Sequence, residues 1–525
     1  MKKNLLIMLF FASVLAVSCN KDLGNYSYSE LDQMAIADFP DTVNIKVGDE
    51  LLISPNLTLG NGAYNPEEFT YEWYSYDYST GNDSKARIFL GKELTLKTIP
   101  KMLVGQYRSY LKVTHVTTGR IWSYKYILNI DGTFGKVGWF VLSAKDEKAH
   151  LDYFQDDPKN WNSNGTVYRD INTFWNDQIT NTSIDFQGEP VSMEIFYNRD
   201  PVVPAVKSYL YVNTKSQTYK INQSDGFTYN SVKNNFKNET ASGSPASAEF
   251  LSPSDDFANL AYKDNNIYSY YYMLNKYYNV PLNNNPNGTV YRVAPFIAMP
   301  MGNFYLYSMY YDMDAKRFMR TFYTSARGTV VNFQSGDFST ADTKMDMVWM
   351  SHTAAFNGQT VAILKKDSQY FLVRINFTAN GAVSLHSVTD VTSILTDLSS
   401  AKHFALDNKY GYLFYVANDK LYQFEMDTKT LKVAKNLNGR KVSLLKSERL
   451  VRLHPSSGYS INFTARMDPV LYSIILGTYD EGSPNTSGKV EFLHVQGLMG
   501  DLIQTIKPME GFGIVKDVQY TDMVS

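Results

Sequence analysis

The chain has 525 residues, a net charge of −2 from 50 lysines and arginines against 52 aspartates and glutamates, and a single cysteine, Cys19. Its length exceeds one ordinary core and suits two or three domains. The balanced charge offers no basic surface to a polyphosphate, which excludes nucleic acid as an expected partner. One cysteine excludes disulfide scaffolds and cysteine-based zinc sites. Aromatics make up 14% of the chain, with 40 tyrosines and 30 phenylalanines, and charged residues only 19%. That is the composition of an extracellular all-β protein, because tyrosine favours pleated, half-buried surfaces with a wet edge.

The chain opens with Lys2 and Lys3, an apolar run from Leu5 to Val17, and the small residues Ala16 and Ser18 before Cys19. This is a secretory signal layout. Its 13 apolar-run positions fall short of the roughly 20 that span a bilayer. A cysteine closing such a segment resembles the bacterial lipobox, which implies cleavage after residue 18 and lipidation of Cys19, although Ala16 stands where that motif prefers leucine. Two acyl chains would hold the protein on a membrane almost permanently. Residues 19–37 are polar, lack periodicity and read as a tether.

From residue 38 to 132 the sequence alternates as short strands do. "DTVNIKVGDELLISPNL" alternates apolar and polar positions, with Val43, Ile45 and Val47 before and Leu51 and Ile53 after a Gly48–Asp49 turn. "FTYEWYSYD" puts Trp73 where a sandwich core takes a large ring. "GQYRSYLKVTHVTTGRIWSYKYILNI" supplies two more strands about Thr118–Gly119. The pattern predicts an immunoglobulin-like sandwich. "GQYRSYLKVT", "TYEWY" and the opening "CNKDLGNYSYSE" resemble the PKD-like lipoproteins of Bacteroidetes. That resemblance implies an outer-membrane, cell-surface protein working beside a Sus-like uptake system, with a TonB-dependent transporter and its lid lipoprotein as partners. "DTV" at Asp41–Val43 resembles the O-glycosylation site of exported proteins in that group.

Residues 136–525 repeat one pattern: apolar strand, short polar turn, second strand. The repeats start near Trp139, Tyr209, Asn266, Phe304, Val361, Tyr412 and Tyr472. Their spacing predicts a β-propeller of about seven blades, each of roughly 40 to 50 residues with insertions. Radial closure also explains how so aromatic a chain avoids edge-to-edge pairing.

No catalytic motif is present. The seven histidines (His115, His150, His352, His386, His403, His454, His494) are scattered, and neither H-E-x-x-H nor G-x-S-x-G occurs. The densest carboxylate pairs are Asp156/Asp157, Asp255/Asp256, Asp312/Asp314 and Asp480/Glu481. The last two pairs sit at turns, where aspartate caps backbone amides. No metal site and no cofactor are expected. Aromatics among asparagines give the functional signal: Trp161, Tyr168, Phe174 and Trp175 in "PKNWNSNGTVYRDINTFWND", and Tyr271 and Tyr272 in "NNIYSYYYMLNKYYNV". Flat rings beside amides suit a glycan or peptide ligand, and equally suit packing between blades. The expected function is a non-enzymatic binding component of nutrient uptake. A propeller glycoside hydrolase or lyase with paired carboxylates and a transporter scaffold are the alternatives.

Overall fold

A computed structural model describes residues 33–46, 49–60, 62–77, 87–102, 105–131, 138–155, 167–168, 185–199, 206–223, 247–253, 258–271, 276–300, 307–322, 324–378, 380–447, 473–504 and 506–521. Among these there is no α-helix. The chain forms two compact units, one of Met1–Val43, Glu50–Thr98 and Tyr107–Leu128, the other of Asn44–Asp49, Ile99–Gln106 and Asn129–Ser525.

The smaller unit carries the predicted sandwich. Its strands are β1 (Met34–Ala37), β2 (Thr42–Lys46), β3 (Leu51–Ile53), β4 (Asn56–Leu59), β5 (Phe69–Asp77), β6 (Ile88–Gly91), β7 (Leu96–Thr98), β8 (Gly105–His115) and β9 (Ile121–Asp131). β1 occupies the last four positions of the segment read as a tether, and pairs with β4. A five-stranded sheet runs β2-β9-β8-β5-β6. Trp73 on β5 is fully buried, and its indole Nε1 donates to Glu93 O at 2.8 Å. The rings of Phe39 and Tyr126 pack on it at 6.0 Å each.

Among the described residues, the larger unit is built from seven antiparallel blade sheets and one two-stranded hairpin. Blade 1 contains β10 (Gly138–Lys145), β11 (Lys148–Gln155) and β12 (Val167–Tyr168). Blade 2 has β13 (Pro190–Arg199), β14 (Val206–Thr214) and β15 (Thr218–Asn222), and blade 3 has β16 (Phe250–Pro253), β17 (Ala258–Lys263), β18 (Asn266–Tyr271) and β19 (Lys276–Pro281). In blade 4 the segment 293–298 bridges to β20 (Tyr307–Asp312), followed by β21 (Arg317–Phe322) and β22 (Thr329–Val330). A small hairpin, β23 (Gln334–Ser335) and β24 (Phe338–Ser339), leads to blade 5: β25 (Asp346–Thr353), β26 (Gln359–Lys366), β27 (Gln369–Phe377) and β28 (Val383–Asp390). Blade 6 is β29 (His403–Leu406), β30 (Leu413–Ala417), β31 (Lys420–Glu425) and β32 (Thr430–Asn436). Blade 7 is β33 (Lys441–Ser447), β34 (Ser473–Tyr479) and β35 (Gly488–His494), with β36 (Ile503–Gln504) and β37 (Met509–Phe512) both on the far edge of β35. The final strand, β38 (Ile514–Thr521), returns to blade 1 and pairs with β10.

Each blade buries both faces against its neighbours, so its middle strands read as continuous apolar runs rather than alternating ones. In β10 and β34 all but the last residue are buried. The hairpins joining such strands place both central residues at positive φ, at Asp146–Glu147, Asp264–Asn265 and Asn418–Asp419. Two-residue turns of this kind match the twist of the paired strands.

Apolar seams join successive blades: Tyr211 with Ala261 and Tyr270 between blades 2 and 3, Tyr262 with Tyr310 between 3 and 4, and Tyr311 with Ala362 between 4 and 5. They continue with Ile363 and Tyr415 between 5 and 6, Phe414 and Leu476 between 6 and 7, and Phe492 and Trp139 between 7 and 1. First strands also lie beside first strands, with β38 next to β13 and β13 next to β16, then β25 next to β29, β29 next to β33 and β33 next to β38. Between blades 1 and 2, hydrogen bonds and an ion pair link the two blades. Met193 N donates to Asp517 Oδ2 at 2.9 Å, Gln519 Nε2 to Met193 O at 2.9 Å, and Lys516 pairs with Glu189 at 3.0 Å. With these links the circuit is complete, and the unit is a seven-bladed propeller.

Asp517→Ala removes the acceptor shared by Met193 N and by Lys446 of blade 7, 2.9 Å away. We expect it to lower the stability of the propeller by about 2–4 kcal/mol. Trp73→Ala should cost the sandwich about 3–5 kcal/mol. Denaturant unfolding followed by the two sets of fluorescence changes checks both, and an Asp517→Ala loss below about 0.5 kcal/mol contradicts a closing role.

Candidate functional site

The connection from β25 to β26 departs most from ordinary backbone. Thr353 ends β25, and its Oγ1 donates to Asp407 O at 2.8 Å while accepting from Ala355 N at 3.1 Å. Ala354 is still right-handed helical, but Phe356 (φ 56°, ψ 33°), Asn357 (φ 61°) and Gly358 (φ 93°) all lie in the positive-φ region. A large aromatic residue there costs about 1–2 kcal/mol, so surrounding contacts must hold it.

Three contacts do so. The Phe356 ring lies 4.6 Å from the Arg374 guanidinium. Arg374, 3% exposed, donates from Nε to Gln359 Oε1 at 2.9 Å and forms an ion pair with Asp427 of blade 6. The ring edge meets the backbone of Gly411, where any Cβ would collide with it and where φ is 74°. Gln359 Nε2 continues to Asn376 Oδ1 at 2.8 Å, and Asn376 Nδ2 to Ser384 Oγ at 3.0 Å. The result is an exposed ring above a polar chain that surfaces at Asp427 and Ser384.

Gly411 is held by Asp407, whose Oδ2 accepts the N–H groups of Tyr410 (2.5 Å) and Gly411 (3.1 Å). Asp407 is 1% exposed, and burial pushes its carboxyl from 3.8 up to about 6. Beyond Tyr410 the rim continues to Gly497 and to Leu498, which is fully exposed at φ 54°. Lys432 Nζ donates to Met499 O and Gly500 O and fixes that loop. This geometry offers a flat apolar ring with donors and acceptors at its margin, the chemistry of a sugar or a peptide side chain.

Sequence reasoning did not find this site. "TAAFNGQT" carries no periodicity, and the only local signal is an aromatic residue before an Asn-Gly pair. Of the residues it did select, Cys19, Trp161, Phe174, Trp175 and Tyr272 lie outside the described residues. Tyr168 pairs with Tyr153 at the outer edge of blade 1. Tyr271 is 8% exposed in β18, opposite Ala258 and Lys276, so its ring is not offered to solvent. Its neighbours Tyr270 and Tyr278 stack at 5.4 Å within the seam of blades 2 and 3.

The carboxylate pairs that are described serve their turns. Asp312 accepts the N–H groups of Asp314 and Ala315, each at 3.0 Å, and Arg317 Nε at 2.9 Å. Asp314 is held by Arg292 N and Nε, both at 2.8 Å, and those hydrogen bonds lower its pKa. Asp480 Oδ1 accepts Gly482 N at 2.9 Å. Asp156, Asp157, Asp255 and Asp256 lie outside the described residues. No cluster of three or more His, Cys, Asp or Glu suited to a metal exists among the described residues.

Residues 19–178 match the sequence model of the PKD-like family. No curated protein matches the chain. Among solved structures it is similar to a quinonprotein alcohol dehydrogenase-like protein of Bacteroides thetaiotaomicron, at 11% identity and a TM-score of 0.43, over 94% of this chain and 99% of that one. It is also similar to the extracellular domain of a protein from the same organism described as a one-component system, at 11% identity and a TM-score of 0.33, over 62% of this chain and 35% of the other.

Because the folded pKa of Asp407 lies above its unfolded value, the native state binds the extra proton between about pH 4 and about 6. Stability therefore falls as pH rises through that window, by up to ~3 kcal/mol. Asp407→Asn, which keeps an acceptor for both amides, should flatten that part of the curve. Urea unfolding at pH 4.5 and pH 7 of both proteins measures it.

Proposed function

We propose that the protein is a lipid-anchored outer-membrane protein facing the cell exterior, a non-enzymatic component that binds glycan or peptide for a Sus-like, TonB-dependent uptake system. The observation that carries the binding role is Phe356, an exposed aromatic ring held in strained backbone over a buried guanidinium. Strain of this kind persists where surroundings over-determine it, and it gathers at ligand sites. The polar chain beneath supplies acceptors and donors, and nothing in the group pairs a nucleophile with a base.

The anchor is supported by the first nineteen residues: two lysines, a 13-residue apolar run and Cys19. The PKD-like match begins at that same cysteine. The aromatic insertion with Trp161, Tyr168, Phe174 and Trp175 is proposed as a second contact for the same ligand, and the transporter and its lid lipoprotein as the partners that receive it.

Titration of protein lacking residues 1–18 against neutral polysaccharides and peptides tests the reading. Phe356→Ala should weaken any detected binding at least tenfold, or about 1.4 kcal/mol, and leave unfolding cooperative. Unchanged affinity in both Phe356→Ala and Trp161→Ala would remove both proposed contacts. In the native host, Cys19→Ser should move the protein from the membrane to the soluble fraction.

A further inference from the structure

Among the described residues, one face of the five-stranded sheet of the sandwich lies outside its buried core. Along β5 the side chains of Phe69, Trp73 and Ser75 are buried, which turns Glu72, Tyr74 and Tyr76 to the opposite side. On β8, Ser109, Leu111 and Val113 face the core, and Arg108, Tyr110 and Lys112 join the outward set as direct partners of Tyr76, Tyr74 and Glu72. Phe89 on β6 lies opposite Tyr74 and is 58% exposed.

These rings form one patch. Tyr74 and Tyr110 stack at 5.4 Å with their planes 20° apart, and Tyr76 meets their edges at 5.7 and 6.2 Å. Arg87 sits 4.8 Å over the Tyr74 ring. It also pairs with Glu72, whose other oxygen is 3.6 Å from Lys112 Nζ. Ser123 of β9 hydrogen-bonds the Tyr74 hydroxyl, and Lys125, two residues on, is exposed on the same side. Among the described outward positions from Thr70 to Lys125, Arg87, Lys112 and Lys125 thus face Glu72, which already has the first two as partners.

An aromatic sheet face with excess positive charge is complementary to a chain that alternates apolar ring faces with anions. We infer that this face binds a uronate-bearing polysaccharide. The C–H faces of its sugars cover Phe89 and the tyrosines, and its carboxylates meet Arg87 and the lysines. Arg87 already pairs with a carboxylate, that of Glu72, through one guanidinium nitrogen. An extended strand of sugars suits the flat run of β6, β5, β8 and β9 better than one buried pocket would. This site is independent of Phe356.

Affinity electrophoresis of the full chain through gels containing polygalacturonate, dextran, dextran sulfate or poly-L-glutamate tests it. Polygalacturonate should retard the protein and dextran should not, and retardation should fall with added salt. Phe89→Ala and Arg87→Ala should each weaken retardation at least tenfold, and Phe356→Ala should leave it unchanged. Phe89 is solvent-exposed, so its variant should keep the wild-type unfolding transition, which is measured alongside. Any of four results overturns the inference: no retardation by polygalacturonate, equal retardation by poly-L-glutamate (charge attraction alone), stronger retardation by dextran sulfate, or a Phe89→Ala protein that behaves as wild type. Loss of neutral-ligand binding in Phe356→Ala with polygalacturonate retardation intact separates the two sites.

Discussion

The propeller depends on one pairing, that of the last strand with the first. β38 is the inner strand of blade 1, and it reaches β10 only after the chain has passed through six other blades. Until the circuit closes, one face at each end of the row of blades stays uncovered, since a blade buries one face against the blade before and the other against the blade after. Closure is specified by polarity as well as by shape. Asp517 collects Met193 N from blade 2 and Lys446 from blade 7, so strands from three blades converge on one carboxylate at the join. A buried carboxylate without those partners would be strongly disfavoured. A slip of β38 by one residue would turn Asp517 onto the apolar side that Val515 and Val518 fill. The bulge between Leu142 and Ser143 in the β10 register adjusts the strand to this arrangement.

How much of this the sequence displays follows from burial. Six of the seven hairpins legible in the chain begin at the second strand of a blade, and the one at Asn266 begins at a third strand, β18. Both faces of those strands are covered, so their apolar runs are unbroken. The inner and outer strands escaped notice because they are short or mixed. β16 has four residues, β33 shows only one buried residue among seven, and the inner edge of blade 4 is a pair of bridges at Val293 and Ala298. Trp73 was legible for the opposite reason, as a large ring at a strict alternation. Tyr268, Tyr270 and Tyr278 have the composition of a binding surface and the position of a seam. Composition cannot separate the two, because what decides is whether another blade stands in front of the ring.

The Phe356 site was illegible on the same grounds. Its parts come from residues 356, 374, 411 and 427, on two blades, and only the packing of blade 5 on blade 6 assembles them. Each part also has a local role that hides it. Gly411 reads as a turn glycine and Asp407 as a turn carboxylate, and both do serve the turn. The Thr353 hydroxyl, however, ties that turn to the start of the Phe356 loop, so the conformation of blade 6's first connection determines whether the left-handed backbone in blade 5 can stand.

In three of the seams, tyrosine has a physical reason in the connections between blades. Those connections are irregular and carry carbonyls that no ladder satisfies. Tyr262 Oη donates to Val293 O at 3.2 Å, Tyr311 Oη to Met345 O at 2.8 Å, and Tyr415 Oη to Thr396 O at 2.9 Å. All three tyrosines lie on the second strands of blades 3, 4 and 6, and all three carbonyls lie where the chain passes from one blade to another. One side chain thus fills the seam with its ring and fixes the crossing with its hydroxyl. Burial raises the pKa of each hydroxyl, that of Tyr262 to about 12, so it stays protonated and able to donate. A phenylalanine would fill the same volume and leave the carbonyl unpaired at a cost of about 1–3 kcal/mol. In these three seams the aromatic ring is therefore first a solution to blade connection, whereas rings left in front of solvent, Phe356 and Phe89 among the described residues, have no such connection to serve.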